Sequence, residues 1–352
     1  MARDGDTLTT RQLNRALLAR QHLLARSTAS LPRALESVGG LQMQYAPSGY
    51  VGCWSRGEGV TIARVTRALE RRQIVQGTLL RSTIHLVSAR DFQVLAAGTR
   101  RARQEWWRPA ARARGLAEID HEAVAAMVRS WFADGPLERA ELLERLEAEG
   151  VPRAHWEGLA QWVDLVRVPP QGTWARRRAH LFASAEVELG PSTATEAEGL
   201  ALLVERYLGG FGPASVADLS SWAGVPAGWF EPVLAALGLR RFRDVDGGEL
   251  IDLPRRPIPP AETPAPVRFL GTWDATLLVH ARRTQILPEA VRDRVFGVRR
   301  PHSVNTLLVD GQVVGSWRIE RDRVTVEPFE AIPAAFADAV EAERRAHEAF
   351  AT

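Results

Sequence analysis

Leu239-Arg240-Arg241-Phe242-Arg243-Asp244-Val245-Asp246-Gly247-Gly248-Glu249-Leu250-Ile251-Asp252-Leu253 sets β-forming residues on both sides of Asp246-Gly247, the dipeptide suited to a two-residue hairpin turn. Upstream, Gly212-Pro213 opens a turn, Asp218-Leu219 falls in the short helix that follows, and a second helix precedes the hairpin. The same order occurs once before. Gly135-Pro136 precedes Glu141-Leu142, then a helix, then the basic, β-rich segment from Val166 to Leu189. In both copies the Leu lies seven residues after the Gly. Helix, helix, hairpin is the order of a winged helix.

The N-terminal region fits the same plan. Thr9 and Gln12 have capping-box spacing. Leu13, Leu17 and Leu24 then share a face of a helix expected to end near Ser27. A second helix is predicted over 31–38, opened by Pro32 and stopped by Gly39-Gly40, and a third over about 61–72. The segment from Ile74 to Val87 alternates like a hairpin. This copy is longer: 39 residues separate Leu35 from Ile74, against 24 from Leu142 to Val166 and 20 from Leu219 to Leu239. An insertion is therefore expected, and extra chain on a rigid scaffold tends to carry function. The predicted fold class is α+β, with three tandem winged-helix units followed by a small C-terminal antiparallel β subdomain and a terminal helix. The expected boundaries are 1–118, 119–192 and 193–254 for the three units, 255–267 for a Pro-rich linker, and 268–352 for the β subdomain. There Asp310-Gly311 marks another hairpin.

The inserted segment holds Gln42 and Gln44 in Gly39-Gly40-Leu41-Gln42-Met43-Gln44-Tyr45. In extended backbone, residues two apart point to one side, so the two amides converge. Their simplest structural role is to bond the local backbone of a polar loop. Their functional role is to act on a nucleic acid held by the scaffold.

Composition limits the alternatives. The 45 cationic residues are all Arg and nearly balance 42 acidic ones, for a net charge of +3. Local clusters matter more than the sum: Arg100-Arg101-Ala102-Arg103, Arg176-Arg177-Arg178, Arg240-Arg241-Phe242-Arg243 and Arg299-Arg300. The second wing, Gly172-Thr173-Trp174-Ala175-Arg176-Arg177-Arg178-Ala179-His180, joins three cations to an aromatic ring, and Trp174, Arg176, Arg177 and Arg178 are its candidate DNA contacts. Among the 11 Trp residues, Trp106, Trp107, Trp131, Trp162 and Trp222 fall on predicted helices and are assigned to the core. The single Cys53 excludes an internal disulfide and a cysteine zinc site, and reads as a small buried hydrophobe. There is no Gly-x-Ser-x-Gly elbow, P-loop or His-Glu-x-x-His motif, so no metal and no cofactor are expected. No apolar run approaches the about 18 residues of a membrane helix, and the first residues lack an apolar targeting core. The expectation is a cytoplasmic monomer without a membrane or an obligate protein partner.

Several motifs together resemble the winged-helix DNA glycosylase family typified by AlkZ and YcaQ. They are Gly40-Leu41-Gln42-Met43-Gln44, Leu79-Leu80-Arg81-Ser82-Thr83-Ile84-His85-Leu86-Val87, the wing from Gly172 to Arg178, and Val309-Asp310-Gly311 with Gly315-Ser316-Trp317. The resemblance covers nearly the whole chain. Gln at both motif positions is similar to the AlkZ branch rather than the Gln-x-Asp branch. At the second motif many relatives read Arg-Gly-Thr, and Ser82 stands in the Gly place here. The resemblance implies a monofunctional glycosylase acting on duplex DNA that carries N7-alkylguanine; the charge on the leaving base leaves N3-alkyladenine open as a second purine substrate. Bulky adducts and interstrand crosslinks from genotoxic natural products belong to the same implication, in DNA repair or producer self-resistance.

The residue chemistry is compatible with that implication. An amide oxygen cannot hold a proton near neutral pH, so Gln is a poor general base. N7 alkylation makes guanine a cationic leaving group, and two amides then need only position a water beneath C1′ and supply fixed dipoles. Gln42 and Gln44 are the catalytic candidates. Arg81, Thr83 and His85 alternate onto one side of the first wing; Arg81 is expected to meet a phosphate, and Thr83 and His85 to bond the glutamines or a phosphate. An open groove without a deep base pocket is expected. The competing reading is a non-catalytic winged-helix DNA binder, which would keep the wings but not need the two glutamines.

Overall fold

The Thr9 hydroxyl accepts from the Gln12 backbone N–H while the Gln12 side chain returns to the Thr9 backbone, which closes the expected capping box. The chain is seen in a computed structural model that describes residues 3–178, 180–278, 283–297, 302–320 and 323–351. It is a mixed α+β protein of helices and antiparallel sheets. The first region comprises β1 (Thr7–Leu8), α1 (Thr10–Arg20), α2 (Leu31–Val38), β2 (Leu41–Gln42), α3 (Ala46–Arg56), α4 (Ile62–Glu70), β3 (Ile74–Thr78), β4 (Ile84–Ser88) and the long α5 (Ala89–Ala113). Helix α1 stops short of the expected Ser27, where His22 at φ 56 turns the chain aside. Helix α3, which fills the insertion, has no counterpart in the sequence reading. All of its residues are buried, so it shows no polar face for a helical period to reveal.

The second and third regions comprise α6 (His121–Trp131), β5 (Leu137–Glu138), α7 (Arg139–Ala148), α8 (Trp156–Leu159), β6 (Leu165–Arg167), β7 (Leu181–Ser184), α9 (Ala185–Leu189), α10 (Glu196–Phe211), α11 (Val216–Ala223), α12 (Glu231–Ala236), β8 (Arg240–Asp244) and β9 (Glu249–Asp252). The first two hairpins share one six-stranded sheet of order β2-β4-β3-β6-β7-β5, joined where Gln76 faces Arg167 and Gly77 faces Val166. The third hairpin instead takes β1 as a parallel neighbour. Only Arg103 of the Arg100 cluster turns inward; the Arg100 and Arg101 side chains stay 41% and 49% exposed, each held by a partner. Arg100 pairs with Asp164 at 2.5 Å, Arg101 lies 3.4 Å from the Trp229 ring centre, and Arg103 donates to Ala160 O at 2.8 Å. Trp107, Trp162 and Trp222 are buried and Trp131 is partly so, but Trp106 is 64% exposed. Adjacent residues on a helix point about 100° apart, and α5 buries the Trp107 side.

The C-terminal region comprises β10 (Arg268–Leu270), α13 (Ala275–Leu278), α14 (Arg292–Val295), β11 (Phe296–Gly297), β12 (His302–Ser303), β13 (Asn305–Val309), β14 (Gln312–Glu320), β15 (Arg323–Pro328) and α15 (Ala337–Ala351). A four-stranded sheet runs β10-β13-β14-β15. Asp310 and Gly311 turn it at φ 45 and φ 79, the primed turn the dipeptide predicts. Helix α1 grips this turn through Arg11 and Arg15 on the Asp310 carboxylate and Asn14 on Gly311 O. The Arg299-Arg300 pair lies outside the described residues.

The sheet buttresses α3 from behind. Ser55 Oγ donates to Phe269 O at 2.5 Å, and Arg56 makes a two-pronged pair with Asp274 at 2.8 and 2.9 Å, both side chains buried. Burial alone would raise the Asp274 carboxyl; Arg56 and Thr276 outweigh it and hold the group below the usual carboxylate range. Removing one partner of a buried pair leaves an uncompensated charge, at about 3–5 kcal/mol. Asp274→Ala is expected to lose that much in urea unfolding, whereas the exposed Arg345→Ala loses under about 0.5 kcal/mol.

Candidate active site

Leu41 and Met43 point inward and Gln42 and Gln44 point the other way. The inward pair lies against glycines of α3. A Cβ on Gly49 would come within 2.6 Å of Met43 Sδ, and one on Gly52 within 2.9 Å of Leu41 Cδ1, so those glycines let the strand settle onto the helix. Strand β2 pairs with β4, with Gln42 opposite His85 and Met43 N–H donating to Ile84 O at 2.7 Å. Gln42 is half-buried and Gln44 exposed.

Each amide is oriented by a donor that only an oxygen can satisfy. Arg81 Nη2 donates to Gln42 Oε1 at 2.9 Å, and the Ile84 backbone N–H donates to Gln44 Oε1 at 3.1 Å. Arg and backbone N–H have no acceptor to offer, so the oxygen–nitrogen assignment follows. Each oxygen keeps one lone pair, and neither amide nitrogen has an acceptor among the described residues.

The expected alternation of Arg81, Thr83 and His85 breaks at a tight turn. Arg81 and Ser82 both have positive φ, 51 and 57, a region where glycine is at home. A Gly at the Ser82 position would adopt this backbone without strain. Arg81 is thereby swung onto Trp222 O and Gln42 Oε1; burial lowers it only to about 10, so it stays cationic at neutral pH. Thr83 Oγ1 donates to Leu80 O at 3.0 Å, not to a glutamine. His85, 3% exposed, places Nδ1 3.0 Å from Thr83 O. Burial, and next the Arg81 charge, push His85 down to about 3, so it is a neutral ring at physiological pH. Cys53 is raised to about 12 by burial and offers no thiolate.

In the segment between β6 and β7, Trp174 turns inward, its ring 5.9 Å from Tyr50 and 5.7 Å from Phe350. Arg176, Arg177 and Arg178 are exposed, and Arg177 donates to the hydroxyl of Tyr45, the neighbour of Gln44, at 2.8 Å. On its other side Gln44 lines a cleft of about 430 Å³ with Thr78, Trp156, Arg167, His180 and Phe182. These residues come from separate elements and carry no joint signal in the sequence. Among the described residues no three His, Cys, Asp or Glu gather as a metal site, and no helix is long and apolar enough to cross a membrane.

Comparison with known proteins extends this picture. A family model described as DNA glycosylase AlkZ-like matches residues 35–350. The structure is similar to that of Streptomyces sahachiroi DNA glycosylase AlkZ, with a TM-score of 0.83 over 98% of this chain and 97% of that one, at 22% sequence identity. A search of curated protein sequences gave no significant match.

The buried His85 makes stability depend on pH. Its folded value of about 3 lies below the roughly 6.5 of an unfolded His. The stabilisation is therefore complete above about pH 6.5 and is lost as pH falls toward 3, by about 1.4 kcal/mol per unit. Urea unfolding at pH 7, 6 and 5 is expected to show this decline. His85→Gln should flatten it by about one proton.

Proposed function

Because this chain belongs to the AlkZ-like DNA glycosylase family, we propose that it hydrolyses the N-glycosidic bond of cationic N7-alkylguanine, and of N3-alkyladenine, in duplex DNA. One observation carries this reading: Gln42 at the end of β2 and Gln44 two residues on both turn away from the core, each amide oxygen fixed by its own donor. A polar loop that merely bonded itself would not need a half-buried guanidinium to aim one of its amides.

The chemistry follows from charge. The C1′–N9 bond breaks with its electron pair going to the alkylated base, which leaves neutral, and an oxocarbenium-like sugar remains. A water held on the free lone pairs of Gln42 and Gln44 Oε1 attacks C1′ and gives its proton to solvent. The products are free base and an abasic site. The amide dipoles are fixed before the charge develops, so little reorganisation is needed. Arg81 acts as a positioning residue for Gln42. Thr83 and His85 hold the turn between β3 and β4, and His85 adds a neutral floor beside Gln42.

The scaffold is read as three tandem winged helices (1–118, 119–192, 193–254), a linker (255–267) and a C-terminal subdomain (268–352). Arg176, Arg177 and Arg178 meet successive phosphates, which fixes position without reading sequence; Trp174 holds that wing. Bulky adducts and crosslinks of genotoxic natural products are the substrates that suit an open groove, in repair or self-resistance, by a cytoplasmic monomer.

An N7-methylguanine duplex, incubated with protein and then cleaved with alkali at abasic sites, tests this directly. Wild-type protein should give strand scission, and Gln42→Ala or Gln44→Ala should slow it by about 100-fold or more. Uracil duplexes should stay intact. Scission unaffected by both substitutions, or robust uracil excision, overturns the mechanism; binding without scission leaves a passive duplex binder.

A further inference from the structure

The cleft beside Gln44 sets an aromatic wall against cationic side chains. Trp156 and Phe182 meet edge to face at 5.1 Å and form its apolar wall. Arg139 stands 5.7 Å over the Trp156 ring, and Arg167 and His180 complete the lining. The Glu157 carboxylate on the rim is already paired with Arg114 at 2.8 Å.

Arg167 is the telling residue. It is largely buried on β6, its Nε has no hydrogen-bond partner, and it has no ion-pair partner among the described residues. Burial lowers it only to about 10, so the charge persists at neutral pH. A buried cation without a counter-charge is costly and suits a site that receives an anion. At about 430 Å³ the cleft falls in the range of sites that enclose a small molecule, about 300–1,000 Å³.

An aromatic wall beside unpaired cations is how proteins hold nucleotides outside the base stack. We infer that this cleft is a nucleotide subsite, in which Trp156 takes the face of one unpaired base and Arg167 with Arg139 takes its phosphate. The inference rests on the reading of Gln44 as acting at the lesion sugar. The alkylated guanine itself is cationic and would be repelled by two guanidinium groups. The nucleotide in the cleft is therefore an uncharged neighbour or the opposite partner of the lesion, while the lesion remains in the open groove.

The test uses the full chain and duplexes carrying N7-methylguanine on a 2′-fluoro sugar, which slows bond cleavage. A 5-iodo-2′-deoxyuridine is placed in turn opposite the lesion and on either side. One position should photocrosslink to the peptide bearing Trp156 or Phe182. Trp156→Ala should weaken binding by about 5- to 100-fold, with Trp156→Phe close to wild type. Arg167→Met combined with the exposed Arg139→Ala should reduce the slope of log affinity against log salt by about one. Excision of unfluorinated N7-methylguanine by wild-type protein is measured in parallel; its absence overturns the proposed function. Excision with binding and salt slope unaltered in all the variants overturns the subsite alone. A loss confined to duplexes with a bulky aromatic N7 substituent also overturns it, because the cleft would then hold the substituent.

Discussion

Two donors, the Arg81 guanidinium and the Ile84 backbone N–H, decide what this site can do. An unrestrained glutamine amide rotates and presents oxygen or nitrogen with similar ease. Here each oxygen is fixed from the protein side, so the dipoles are set before any ligand arrives. The cost is one lone pair per oxygen. What remains suits the alignment of a water and the stabilisation of positive charge, and falls short of removing a proton from an unactivated nucleophile.

The rest of the molecule keeps those donors in place. Arg81 reaches Gln42 because two consecutive positive φ angles reverse the chain between β3 and β4. Ile84 is held in the central six-stranded sheet, which ties the first hairpin to the second through β3 and β6. Behind the glutamines lies α3, whose glycines admit Leu41 and Met43, and behind α3 lies the C-terminal sheet, pinned by Arg56 and Asp274. The C-terminal region thus serves the site from a distance, as backing for the helix that carries the strand.

The hairpins were legible in the sequence because Asp-Gly dipeptides and alternation are local signals; Asp310-Gly311 takes the two-residue form, whereas at Asp246-Gly247 only Gly247 has positive φ and Asp244 N–H donates to Gly248 O across a three-residue loop. The stretch holding Gln42 and Gln44 stood out because the chain from Leu35 to Ile74 is longer than the corresponding stretches downstream. Helix α3 was not, since complete burial erases the polar face that marks a helix. The fate of Arg81 was hidden for another reason: strict alternation assumed extended backbone through Arg81 and Ser82, and the turn there rotates the guanidinium onto a glutamine. The pairing of Arg100 with Asp164 could not be read either, because the two lie 64 residues apart along the chain. The cleft with Trp156 and Arg167 shows the same limit. It is assembled from residues of β3, β4, α7, α8, β6 and β7 that the sequence keeps apart.

If the substrate brings the charge, the protein needs no acid to protonate the leaving base and no carboxylate to stand against the sugar. That links a site without a carboxylate or general acid to a narrow chemistry. The most direct measurement compares duplexes containing N7-methylguanine and 7-methyl-7-deazaguanine, which share a shape but not a charge, under single-turnover conditions with saturating protein. The account predicts release of the first base and none of the second, with comparable binding of both duplexes. Release of the uncharged isostere at a similar rate would contradict it.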